Sequence, residues 1–206
     1  MVKFTPVFEA PWYREGPEWS WAIANKKPFA LISISHQANS EVIGSFFAEF
    51  APVLQEPDPR PDKEILSDLL GEKMVSSRLG GLMIEDGDTL IKPGCCGDLF
   101  AFREWWLFLK TGARPWTGHD PSPWATAEGE NSLKIWSDGG LSGEKTEPSI
   151  LVTREEFETG LIAAIHKLEA FGQLCVAWLL AQNIPMGKDI GMSIMEEFKA
   201  ETIMTL

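Results

Sequence analysis

Apolar residues recur at helical spacing in two long stretches of this chain. Between 40 and 54, Val42, Ile43, Phe46, Phe47, Phe50, Val53 and Leu54 line one side of a helix. From Phe157 to about Gln182, the residues Phe157, Leu161, Ile165, Leu168, Phe171, Cys175, Trp178 and Leu179 mark a broad apolar face. Thr153 and Glu156 stand three apart just before it, the spacing of a reciprocal cap for the free N–H groups of a helix start. Past Leu168 nearly every face is apolar, so the second half of this helix is expected to be deeply buried. Shorter helical patterns cover Lys63 to Leu70, with Asp62 as cap and Gly71 as stop, and Phe100 to Lys110, closed by Gly112. A last one covers about Lys188 to Lys199.

Strand patterns fill the gaps. Residues 3–9 alternate weakly and predict an edge strand that tolerates Pro6. Residues 19–35 predict two strands about a turn at 25–28, of which Phe29 to Ser35 is the stronger. Leu82-Met83-Ile84 and Thr89-Leu90-Ile91 flank an Asp-Gly turn and predict a hairpin. Leu133 to Ser137 and Ile150 to Val152 predict strands joined by a Gly-rich acidic loop, Asp138 to Pro148. The proline run at 57–61 is a stiff linker, too short to mark a domain boundary. The expectation is one α+β domain over residues 1–206, a mostly antiparallel sheet packed by helices, with a long C-terminal helix.

Composition sharpens this picture in two respects. The chain of 206 residues holds nine Trp against one Tyr, and its net charge is -12. Residues 121–206 alone carry thirteen acidic against six basic side chains. Such a charge repels phosphate backbones and anionic lipid, so neither nucleic acid nor membrane is an expected partner, and a basic protein surface is. Three cysteines make no disulfide framework and suit a reducing compartment. The N-terminal residues show no signal-peptide pattern, and the uncharged stretch Ala170 to Gly187 is broken by Gly172, Gln173, Gln182, Asn183 and Pro185. A cytoplasmic location is therefore expected.

Candidate chemistry gathers between Pro93 and Trp124. Cys95 and Cys96 with His119, and Asp98 or Asp120, offer metal-ligand types, but adjacent cysteines lack the two-to-four-residue spacing of structural zinc sites. No metal or other cofactor is therefore implied. The same cysteines precede a helix, with His36 or His119 as base and Asp98 or Asp120 as orienter, the parts of a thiol nucleophile. Against this, Asp98 is a natural helix cap, and its charge opposes thiolate formation. Gly139 to Thr146, GGLSGEKT, approaches a phosphate loop, but Glu144 stands where a glycine is needed. Neither Gly-Xaa-Ser-Xaa-Gly nor a dinucleotide glycine fingerprint occurs. Arg103 and Glu104 read as a surface ion pair. Of Trp105 and Trp106, one is expected to face the core. Trp12, Trp19, Trp21, Trp116 and Trp124 fall in or near loops, where they either cover core edges or anchor a partner.

The segment Gly94-Cys95-Cys96-Gly97-Asp98-Leu99, with Phe102-Arg103-Glu104-Trp105 and Pro115-Trp116-Thr117-Gly118-His119-Asp120-Pro121-Ser122-Pro123-Trp124, resembles certain bacterial immunity proteins. The strand Lys134-Ile135-Trp136-Ser137-Asp138 and the Thr153-capped helix extend the likeness over roughly 93–182. The resemblance implies one half of a toxin–immunity pair used in interbacterial competition. It implies no catalysis. The partner would be a cognate toxin with a basic surface, such as a nuclease cleft, blocked sterically and electrostatically. Acidic and aromatic loop residues are then the candidate contacts: Asp120, Glu128, Glu130, Asp138, Glu144, Glu147, Trp116 and Trp124. A cysteine-dependent enzyme using Cys95 or Cys96, and a Trp-rich carbohydrate- or protein-binding module, are the alternatives.

Overall fold

The computed structural model describes residues 1–11, 19–50, 60–72, 78–99 and 101–205. Trp12, linker residues 57–59, Val53 and Leu54 of the helix expected over 40–54, and Phe100 lie outside the described residues; among the described residues that helix ends at Ala48, short of Phe50. The elements run β1 Lys3–Glu9, β2 Leu31–Ser33, α1 Ser40–Ala48, α2 Asp62–Glu72, β3 Gly80–Asp86, β4 Thr89–Ile91 and α3 Ala101–Thr111. They continue as β5 Trp124–Ala127, β6 Ser132–Asp138, β7 Thr146–Thr153, α4 Arg154–Ala181, α5 Gly187–Phe198 and α6 Ala200–Met204. The strands form two antiparallel sheets, ordered β2-β1-β3-β4 and β5-β6-β7. The α+β class is as expected, with α4 as its long helix.

β1 is a central strand and not an edge. Pro6 fits there because it sits where the β1–β2 ladder ends: its carbonyl accepts the Ile34 N–H at 2.8 Å, and no N–H is required of it in return. Residues 19–24 do not form the first strand expected of them. Their polar groups go to helices instead: Trp21 Nε1 donates to the Gly44 carbonyl at 3.2 Å and the Ala24 N–H to Ser45 Oγ at 2.8 Å, both on α1, while the Ser20 N–H donates to Asp62 of α2. A Cβ on Gly44 would lie 2.3 Å from the Ala22 carbonyl oxygen, so glycine permits this approach. The β3–β4 hairpin closes through Gly87 (φ 57) and Asp88, between the paired Asp86 and Thr89.

One core joins both sheets to the helices. Phe46 of α1 meets Phe8 of β1 at 5.3 Å and Phe171 of α4 at 5.2 Å, edge to face, while Phe47 stacks on Trp178 at 5.0 Å. α4 crosses β1 closely, with the Phe4 ring lying over Gly160. Its start carries the capping box of Thr153 and Glu156. Its second half is not buried all round, since Leu180 is 53% exposed. Trp105 and Trp106 are both buried, the latter beneath Lys110 Nζ at 4.2 Å. α2 begins at Asp62 and runs through Gly71. α6 follows α5 as a short helix without a sequence signal of its own. β7 starts at Thr146, so the loop after β6 is shorter than expected; Pro148 is accommodated because β7 is an edge strand.

Candidate functional site

Two loops, 93–99 and 114–123, pack backbone against backbone. The Gly94 N–H donates to the Thr117 carbonyl at 3.0 Å, and the His119 N–H to the Cys95 carbonyl at 2.8 Å. Glycine is required at the contact: a Cβ on Gly94 would lie 1.8 Å from the Pro121 oxygen, and one on Gly118 (φ 98) 2.6 Å from the Cys95 oxygen. Cys96 (φ 58) and Asp120 (φ 46) take the left-handed conformation without being glycine. The outcome is that Cys95, Cys96 and His119 converge, their ligand atoms all within 4.8 Å of one another. The two Sγ atoms are 3.7 Å apart and both cysteines are exposed. His119 Nδ1 lies 3.2 Å from Asp120 Oδ2.

As a nucleophile this thiol pair is poorly supplied. Its contact with Cys96 comes first among the influences that push the Cys95 thiol upward, followed by lost solvation and the charges of Cys96 and Glu9. α3 spans Ala101–Thr111, close to the expected Phe100 to Lys110, with Gly97, Asp98 and Leu99 between the cysteines and its start. Asp98 takes the Ala101 N–H on its backbone carbonyl. Cys175 is fully buried in α4, and burial holds its thiol well above the ordinary value.

The acidic candidates separate into two groups. Glu128 and Glu130 sit on the β5–β6 turn, both exposed. The others lie at the far end of β6, a strand of seven residues, so the two groups are on the order of 20 Å apart. At that far end the loops 114–123 and 139–145 are tied together: Gly140 N–H donates to the Ser122 carbonyl at 2.7 Å, and Arg114 Nη2 to the Gly139 carbonyl at 3.0 Å. Asp138 spends its carboxylate inside this junction, accepting the Ser122 and Gly139 N–H groups, both at 2.7 Å. Trp124 is half-buried beneath the Arg114 guanidinium at 4.6 Å. Asp120, Glu144 and Glu147 remain exposed, as do Trp116 (46%) and Leu141 (57%). Among the described residues the expected Arg103–Glu104 ion pair is not formed; Glu104 instead accepts the Trp116 N–H at 3.1 Å and orients that loop. Glu147 is held below the ordinary carboxylate value, first by the Ser149 hydroxyl and then by Lys134 at 3.3 Å. The phosphate-loop look-alike folds on itself, Gly143 N–H to Gly139 carbonyl, and leads into β7 rather than a helix.

Sequence reasoning passed over one unusual acid. Glu49, just after α1, is only 4% exposed. Burial pushes its carboxyl up to about 8, against the opposing pull of Arg78 and with a further push from Glu9. Arg78 spends Nη1 on the Glu49 backbone carbonyl at 3.1 Å and stacks on Phe50 at 3.9 Å. Among the described residues, Glu49 Oε2 and Arg78 Nε have no hydrogen-bond partner. The only sequence cue was a charged residue inside the apolar run Phe46 to Phe50, which periodicity assigns to an exposed turn.

Compared with protein-family models, curated proteins and solved structures, the chain matches none of them.

Proposed function

We propose that this chain is an immunity protein that binds a cognate bacterial toxin and blocks it. The observation that carries the reading is the exposed group at one end of the β5-β6-β7 sheet: Trp116 and Leu141 as apolar anchors among the carboxylates of Asp120, Glu144 and Glu147. Aromatic anchors surrounded by charge suit a protein interface. The excess of acid in residues 121–206 favours a basic partner, such as a nuclease cleft in which carboxylates replace phosphates. Asp138 and Trp124 shape that end of the sheet from beneath.

The test is rescue. Cells making a toxin encoded beside this gene should regain growth when the chain is co-expressed, and the two proteins should co-purify. Charge reversal at Asp120, Glu144 and Glu147 together should abolish rescue, whereas reversal at Glu128 and Glu130 should leave it intact. Absence of both rescue and complex sinks the proposal; loss only with the second set moves the interface to the opposite end of the sheet.

A further inference from the structure

Two thiols and an imidazole meeting where two backbones pair call for a ligand class of their own. Adjacent cysteines in extended chain point to opposite faces, which is why their spacing argues against chelation. Here the left-handed turn at Cys96 brings both sulfurs to one side, 3.7 Å apart. Two thiolates bound to one tetrahedral zinc at about 2.3 Å lie about 3.8 Å from each other. The edge needed for two of four ligands is therefore already present.

The third donor comes from far along the chain, carried in by the bridge between Cys95 and His119. Its nitrogen and both sulfurs lie within 4.8 Å of one another. A zinc-bound imidazole needs about 3.6 Å to each sulfur, so a side-chain rotation of about an ångström closes the site. Asp120 Oδ2 lies 3.2 Å from His119 Nδ1, so with that contact kept the ligand atom is Nε2. A carboxylate on the second nitrogen is how metal-binding histidines are commonly oriented. Gly94, Gly97 and Gly118 let the two loops meet without side chains between them, so the donors stand on a frame that is already closed.

We propose that Cys95, Cys96 and His119 bind a thiophilic d10 cation, Zn²⁺ foremost, through two thiolates and one imidazole, with the fourth position open to solvent. Two sulfurs and a nitrogen are the donors that Zn²⁺ and Cu⁺ share, whereas Mg²⁺ and Ca²⁺ take oxygen. Binding forms two metal–sulfur bonds and one metal–nitrogen bond and releases the two thiol protons to solvent, with no change in oxidation state. The bound ion clamps loop 93–99 to loop 114–123. Asp120 is shared with the toxin-facing group, but the test of metal binding needs no toxin.

The full chain is kept reduced with a phosphine and titrated with Zn²⁺ in competition with a chromophoric chelator. One ion per chain is expected, with affinity falling at least tenfold in each of Cys95→Ser, Cys96→Ser and His119→Ala. Circular dichroism of the variants checks folding; the two cysteines are exposed, so their replacement leaves the core intact. Co²⁺ should give the intense visible bands of a tetrahedral ion together with thiolate charge transfer. Zinc affinity unchanged in Cys95→Ser or His119→Ala, or an octahedral cobalt spectrum, overturns the proposal. In a parallel arm, Cu⁺ is delivered against a copper-specific chelator; tight Cu⁺ binding without Zn²⁺ binding overturns the zinc assignment.

Discussion

Glu49→Gln should make this protein more stable at neutral and alkaline pH, and should leave it little changed near pH 5. The Glu49 carboxyl, nearly sealed from solvent, titrates at about 8 in the fold and near 4.5 in the open chain. Its folded value lies above its unfolded value, so the folded state holds a proton that the unfolded state has lost. Stability is therefore greatest below pH 4.5 as far as this group is concerned, and it declines as pH rises toward 8. Each pH unit in that window costs about 1.4 kcal/mol. The accumulated cost is about 3 kcal/mol at pH 7 and approaches about 5 kcal/mol above pH 8. Glutamine has the shape of the protonated acid and no charge to lose. Urea denaturation followed by tryptophan fluorescence from pH 5 to pH 9 measures the effect, and the difference between wild type and variant cancels all other titrations. That difference should grow with pH up to about 8 in favour of the variant and then level off. The reasoning fails if the difference is flat. It also fails if wild type is the more stable at pH 8, because that sign means an ionised Glu49 stabilised by Arg78.

Two further outcomes follow from local geometry. Gly94→Ala forces a Cβ to within 1.8 Å of the Pro121 oxygen, a backbone atom with no rotamer to yield; a loss of about 1–3 kcal/mol in urea denaturation is expected, and an unchanged midpoint would mean the two loops do not touch. Thr153→Ala removes the cap of α4 and should cost about 1 kcal/mol. The Thr153 hydroxyl and N–H also hold the Glu156 carboxyl below its ordinary value, so this contribution is present at neutral pH and lost on acidification. The variant's stability should accordingly be less sensitive to acid, and equal acid sensitivity in the two proteins would count against the reciprocal cap.

The candidate site was legible in its residues and not in its arrangement. Cys95, Cys96, His119 and Asp120 stood out by type, yet spacing argued against a common ion, because spacing carries no information about the turn at Cys96 or the bridge to His119. The acidic loop residues stood out by charge. Which of them are free to meet a partner depended on hydrogen bonds across loops, which gave Asp138 to Ser122 and Gly139 and left Glu144 exposed. Glu49 was overlooked because helical periodicity describes one element, while the groups that desolvate a side chain come from others.

Sequence alone determined the α+β class, α1, the β3–β4 hairpin, and α4 with its Thr153–Glu156 cap. Each rests on interactions within a few residues: a helical repeat, a two-residue turn, a side chain reaching three positions along. Only the tertiary structure decided that β1 is central, that residues 19–24 serve helices rather than a sheet, and that the strands divide into two sheets. It alone decided that a pair of adjacent cysteines meets a distant histidine. Those outcomes turn on which backbone groups find partners far along the chain, and on glycines that let two backbones touch, neither of which leaves a periodic mark in the sequence.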